Sequence, residues 1–165
     1  MITPDVRPAA PRGLCTDCGV SRMTDAKACG RACQFIAPDY PRLEKAVHGR
    51  VRGGGDETFF GPVHAMYRAR MVTPRTGAQW TGITTSLGAR LLEQEAVDAV
   101  LCMVPDETDV WRPKPALITD PADMAKARGM RMGYAPLLAL LEDAQALGFK
   151  RLAVIGICAA PEQIW

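Results

Sequence analysis

The chain has 165 residues, 48% of them hydrophobic and 23% charged, with a formal net charge of +2. These values are ordinary for a globular protein and argue against extended disorder. No apolar run of about 18 residues is present, which argues against a membrane-spanning helix, and no stretch reads as a nucleic-acid-binding motif. Residues 1–75 carry a net charge of +5 and residues 76–165 a net charge of −3. We attribute this uneven distribution to charged side chains on a solvated surface.

The first 13 residues are rich in proline and arginine and lack the apolar stretch of a secretory signal. We therefore predict an irregular lead-in over residues 1–13 and a cytoplasmic location. Thiols stay reduced in the cytoplasm and disulfides are rare there. The six cysteines of the chain therefore need an explanation other than disulfide bonding.

Four of the cysteines are close together, at positions 15, 18, 29 and 33. Thiolates are soft ligands, and two cysteine pairs joined by a short loop suit either a structural zinc ion or an iron–sulfur cluster. The spacing does not decide between these two metals. A purely structural role as buried small residues is disfavoured, because the neighbours are small or polar. The predicted ligands are Cys15, Cys18, Cys29 and Cys33.

The two remaining cysteines have different settings. Cys102 lies in an apolar run of strand length and is predicted to be a core residue. Cys158 follows the last predicted strand, where α/β folds place ligands, and is either part of a second site or a surface thiol.

A helix is predicted over residues 41–48, with Asp39 as its cap and Gly49 as its stop. The segment Gly49–Gly55 is predicted to be a flexible basic linker, since it lacks the strand and the glycine spacing of a phosphate-binding loop. Further helices and strands alternate after it and predict an α/β fold with a mixed or partly parallel sheet. The helices are predicted at 62–71, 80–95, 121–128 and 136–147, and the strands at 97–104, 116–119 and 150–157.

The segment 77–82 is the other candidate site. Its glycines allow a close approach of the backbone to a ligand, and the helix that follows offers unpaired N–H groups. A plain loop with Trp80 in the core is an equally good interpretation. The two histidines, His48 and His64, are interpreted as structural or surface residues. Arg128–Arg131 and Tyr134 suit either an anionic cofactor group or a solvated loop.

Three motifs, Leu14–Gly19, Ala32–Ile36 and Gly77–Gly82, together resemble the coenzyme F-420 hydrogenase/dehydrogenase beta-subunit family. Within it they are most similar to the branch of 7-hydroxymethyl chlorophyll a reductase and divinyl chlorophyllide 8-vinyl reductase. The resemblance runs from about residue 14 to residue 156. It implies a 4Fe–4S cluster at the four cysteines and a flavin site, for FAD, that begins at Gly77, Gln79, Trp80 and Thr81.

The resemblance also implies an oxidoreductase that takes electrons from a donor such as a ferredoxin and passes them to a conjugated small-molecule acceptor. The implied organisation is a cluster segment with the basic linker at 14–58, followed by an incomplete α/β flavin-type domain at 59–165. Family members are longer, so we expect a truncated form in which a partner chain could supply the missing domain. This chain alone is then expected to be inactive.

The sequence departs from the family pattern at two places. Ser21 stands where many relatives have a third cysteine, for which Cys29 is the expected replacement. The segment 156–161 breaks the usual turn after the last strand. The alternatives to the reductase are a zinc-stabilised binding module and an inactive gene remnant.

Overall fold

The structure is a computed structural model that describes residues 1–2, 15, 17–24, 33, 39–130 and 133–156. Several predictions from the sequence lie outside these residues: the lead-in after residue 2, Cys29, Arg131, Cys158 and the end of the last strand. A membrane crossing would need a longer and more apolar helix than any in the described part of the chain.

The centre of the fold is a three-stranded mixed sheet in the order β2-β1-β3. Strand β1 (Ala99–Pro105) pairs antiparallel with β2 (Pro113–Ile118) and parallel with β3 (Leu152–Val154). The antiparallel pair is joined by a short connection, whereas the parallel pair requires a long crossover through the helices in between. The predicted α/β class with a partly parallel sheet is therefore confirmed.

Strand β1 is buried on both faces, as its continuous apolar sequence predicts. On one face, Val100 and Cys102 pack in a cluster with Met124. On the other face, Leu101 packs in a cluster with Leu137. Cys102 is 2% exposed, which confirms that it is a core residue.

Seven helical segments lie in the described part of the chain. The α-helices are α1 (Tyr40–His48), α2 (Glu57–Phe60), α3 (Ile83–Glu93) and α4 (Leu140–Ala146). The 3₁₀ helices are Val20–Arg22, Pro121–Ala127 and Leu137–Ala139. The predicted cap of α1 is confirmed, since Asp39 Oδ1 accepts a bond from Arg42 N at 3.2 Å. Its stop is confirmed as well, because Gly49 is left-handed.

The helix predicted over residues 62–71 is wrong. This stretch forms neither helix nor strand. Amides near its two ends are bound by side chains of other segments: Val63 N donates to Glu57 Oε1 at 3.3 Å and Met71 N to Thr81 Oγ1 at 3.2 Å. A short helix without a packed face is marginal in water, so these non-local bonds prevail.

Asp98 anchors the start of β3 beside the start of β1. Its carboxylate accepts bonds from Lys150 N at 2.8 Å and Arg151 N at 2.9 Å, and from the Arg151 guanidinium at 2.7 Å. These hydrogen bonds lower the pKa of Asp98 to about 2, and the two from the backbone amides contribute most. The carboxylate therefore stabilises the fold in its charged form.

Candidate functional site

The cysteine segment is described at three of its four predicted ligands. Cys15 is exposed, whereas Cys18 and Cys33 are half-buried. Cys29 lies outside the described residues. Within the described ranges, no group of three or more Cys, His, Asp or Glu side chains is placed to hold a metal ion. The complete ligand set therefore stays a prediction.

A tight turn follows Cys15. Asp17 N donates to Cys15 Sγ at 3.4 Å, and Asp17 itself has a left-handed backbone with φ of 52°. Arg22 holds the Asp17 carboxylate with two bonds, one of them from Nε to Oδ1 at 2.8 Å. The hydrogen bond to Asp17 raises the pKa of Arg22. The sequence analysis did not predict this ion pair. Opposite charges five residues apart, on either side of Cys18, are the pattern that could have indicated it.

The same turn is docked on the segment that leads into α4. Leu138 N donates to Cys18 O at 2.8 Å, and Thr24 N donates to Glu142 Oε1 at 2.6 Å. Gly19 has φ of 110°, and a Cβ at this position would lie 2.3 Å from Ala139 N. Glycine is thus required for both its conformation and its close approach. The turn that carries Cys18, from Asp17 to Arg22, is called the cysteine turn below. It is packed against the folded α/β unit.

The second candidate segment, residues 77–82, forms successive turns before α3. Gly77, Trp80 and Gly82 all have positive φ values, so the helix begins at Ile83 and not at the predicted Trp80. Trp80 is 90% exposed, so the interpretation that places it in the core is wrong. Its indole face is open to solvent. The Thr81 hydroxyl accepts a bond from a backbone amide within the same region.

Residues 128–130 lie against this segment. Arg128 Nη1 donates to Thr76 O at 2.6 Å, and Gln79 Nε2 contacts Met130 Sδ at 3.8 Å. A Cβ built on Gly129 would lie 3.8 Å from Gly77 O. The structure thus joins two segments that were separate candidates in the sequence.

The guanidinium of Arg128 also donates through Nε to Ala125 O at 2.6 Å. These two bonds tie Arg128 to both segments, and the alternatives of an anionic cofactor group and a solvated loop stay predictions. Tyr134 is exposed close to these residues in sequence. Among the histidines, His48 lies in the last turn of α1 as predicted. His64 lies in irregular chain, since the helix predicted around it is not formed.

The predicted basic linker is tied down by ion pairs. Arg52 binds the buried carboxylate of Glu44, with Arg52 N donating to Glu44 Oε2 at 2.9 Å. Arg50 binds Glu57, and this bond is the main cause that lowers the pKa of Glu57 to about 2. The positive charge of the linker is therefore largely neutralised within the fold.

Comparison with known proteins matches residues 66–142 to the N-terminal region of the coenzyme F420 hydrogenase/dehydrogenase beta subunit. The chain is 34% identical to an uncharacterized protein of Nostoc sp. strain PCC 7120, over 92% of this chain and 38% of that protein. It is 35% identical to the chloroplastic 7-hydroxymethyl chlorophyll a reductase of Oryza sativa subsp. japonica, over 87% of this chain and 31% of the relative.

A shorter match links the chain to the coenzyme F420 hydrogenase subunit beta of Methanosarcina barkeri, with 32% identity over 53% of this chain and 30% of the subunit. Among solved structures, the F420-reducing NiFe hydrogenase complex of the same organism aligns with a TM-score of 0.46 and 31% identity. That alignment covers 50% of this chain and 28% of the other. The chain spans about a third of the length of the curated relatives it matches.

Proposed function

This chain belongs to the coenzyme F420 hydrogenase/dehydrogenase beta-subunit family, and from that premise we propose that it is the front part of an iron–sulfur and flavin-dependent oxidoreductase. Cys15, Cys18, Cys29 and Cys33 would hold a 4Fe–4S cluster. The docked cysteine turn is the observation that carries the proposal, because it places thiols on the folded unit that bears the family match.

The chemistry of the described thiols fits an iron–sulfur cluster. Cys15 Sγ already accepts an N–H bond from Asp17, and hydrogen bonds to sulfur are one means by which proteins set a cluster's potential. Cys15 is exposed, which leaves it accessible during assembly. When bound, a cluster supplies one-electron transfer; the chain's own contribution is to orient the ligands and to shield part of them.

The proposed flavin segment is Gly77, Gln79, Trp80 and Thr81. Three of its features support this: a glycine backbone that a ligand can approach, an exposed indole that can stack on a flat ring, and a nearby amide side chain. When bound, FAD supplies the exchange between one-electron and two-electron transfer. The chain's residues here would hold one side of the ring.

The relatives' names bear on the proposed partners. We propose a donor such as a ferredoxin, an acceptor that is a conjugated small molecule, and a further polypeptide region that completes the flavin site. One relative is named as a reductase of 7-hydroxymethyl chlorophyll a and another as a hydrogenase subunit. Both names belong to oxidoreductases, which supports this reaction class.

The test is metal analysis with a visible spectrum after anaerobic purification. The unsubstituted chain should contain about four iron and about four sulfide per molecule and absorb broadly in the visible. Cys18→Ser should lose both metal and colour. Cys102→Ala is the matched control, because Cys102 is buried in β1 and should leave the metal content unchanged.

The opposite result has a clear form. About one zinc per chain and no colour would overturn the proposal in favour of a zinc-stabilised binding module. Iron that persists at the same level in Cys18→Ser would show that the metal does not depend on the cysteine turn in the way proposed.

A further inference from the structure

The turn between Cys15 and Arg22 contains a half-buried ion pair with two points of contact. Arg22 Nε lies 2.8 Å from Asp17 Oδ1, and a second guanidinium nitrogen bonds to Oδ2. Only 22% of the Arg22 side chain and 24% of the Asp17 side chain are exposed. A two-point arginine–carboxylate pair fixes both side chains in one geometry.

This pair holds a backbone conformation that Asp17 would otherwise rarely adopt. A residue other than glycine with φ of 52° is strained unless its surroundings hold it there. The Asp17 N–H is directed at Cys15 Sγ, with a donor–acceptor distance of 3.4 Å. Asp17 therefore connects three features: the ion pair with Arg22, the strained backbone and the bond to sulfur.

We propose that Asp17 and Arg22 are positioning residues for the metal centre, an inference that rests on the proposed function. Arg22 clamps Asp17, and Asp17 presents its N–H to the Cys15 thiolate. Because Arg22 neutralises the Asp17 carboxylate beside the thiolate, and because the N–H bond to sulfur favours the more negative state, the pair stabilises added negative charge on the centre. The pair thereby raises the reduction potential and slows the loss of metal.

The test compares Arg22→Gln with Arg22→Lys in anaerobically purified, iron-loaded chain. Arg22→Gln should lower the midpoint potential, change the visible circular dichroism, and release iron to a chelator roughly 10–100 times faster. Arg22→Lys keeps the charge but not the two-point geometry, so it should give intermediate values. The control is Arg90→Gln, which removes an exposed ion pair with Glu93 and should match the unsubstituted chain.

The failures of the two proposals are distinguishable. Suppose that the unsubstituted chain holds iron and that Arg22→Gln has the same midpoint potential and the same rate of iron release. The positioning role is then overturned and the proposed function stands. If the unsubstituted chain holds no iron, both are overturned. Should Arg22→Gln fail to fold by far-UV circular dichroism, release from Arg22→Lys at the unsubstituted rate would overturn the positioning role.

Discussion

Gly19 is the residue through which the cysteine turn packs against the backbone of residues 136–139. Its Cα faces the backbone of Pro136 and Ala139 so closely that a side chain has no room. The neighbouring Cys18 carbonyl accepts the bond from Leu138 N. One glycine thus sets the distance between a candidate ligand and the α/β unit.

We expect Gly19→Ala to destabilise the chain more than an ordinary left-handed glycine replacement. The backbone conformation alone costs roughly 1–2 kcal/mol for a residue with a side chain, and the forced contact adds about 1–3 kcal/mol. Gly49→Ala is the matched control, because Gly49 is also left-handed but has open space around it. Equal free energies of unfolding for the two variants, measured with urea, would contradict the importance of this contact.

Site residues differ in how far the sequence alone could identify them. The spacing of the cysteines and the glycines of segment 77–82 could be recognised, because their chemistry is local. The contacts of Arg128 with Thr76 and of Cys18 with Leu138 could not, since they join residues 52 and 120 positions apart. Such contacts follow from the packing of elements and leave no local pattern.

Asp98 is the residue whose ionisation we expect to govern acid stability at the start of the sheet. Its pKa is lowered to about 2, below the ordinary range of an aspartate. A lowered pKa in the fold means that its contribution is present above about pH 4 and is lost as the pH falls towards 2. Asp98→Asn should therefore reduce the urea midpoint at pH 7 and make little difference near pH 2.

The control for this measurement is Asp56→Asn, because the Asp56 side chain makes no capping bond to α2. Its urea midpoint should follow that of the unsubstituted chain at both pH values. A loss in Asp98→Asn that is the same at pH 7 and pH 2 would show that packing, and not the charge, accounts for the effect.

At the scale of elements, the contact of α3 with the 3₁₀ helix Pro121–Ala127 closes one side of the sheet. Met124 is 1% exposed, and its side chain lies against Gly88 of α3, where a Cβ would come within 2.6 Å of Met124 Cε. The glycine creates the space that the methionine fills. This contact holds α3 over the cluster that contains Cys102.

We expect Met124→Ala to lower the free energy of unfolding by about 2–5 kcal/mol, because it leaves a cavity in a closed core. Met66→Ala changes the same residue type at an exposed position and should have an effect near zero. Urea unfolding of both variants measures the difference. Similar losses in the two would argue that Met124 is not the closing contact of this face.

The elements themselves were predictable where a local signal marks their ends. Asp39 and Gly49 mark the bounds of α1, and the Asp120–Pro121 pair marks the next helical start, where Asp120 Oδ1 accepts a bond from Ala122 N at 2.8 Å. Residues 62–71 begin with a proline but have no capping aspartate before it, and the amides of Val63 and Met71 are bound by Glu57 and Thr81 instead. Composition alone therefore gave a helix where the fold has none.

At the scale of the whole molecule, large apolar side chains lie exposed along the segment from α2 to α3. Phe59, Tyr67, Val72 and Trp80 are each more than four-fifths exposed. Extensive exposed apolar surface is typical of sites that another polypeptide region covers.

We therefore expect this chain alone to accept electrons without passing them on to an acceptor. Dithionite should bleach the proposed cluster reversibly, because the four cysteines lie within the chain. Reduction of a conjugated small-molecule acceptor should not exceed the buffer rate, since one side of the proposed flavin site is exposed at Trp80. The rice relative, assayed with the same donor, is the positive control. Sustained reduction by the 165-residue chain alone would contradict the proposal that a further region completes the flavin site.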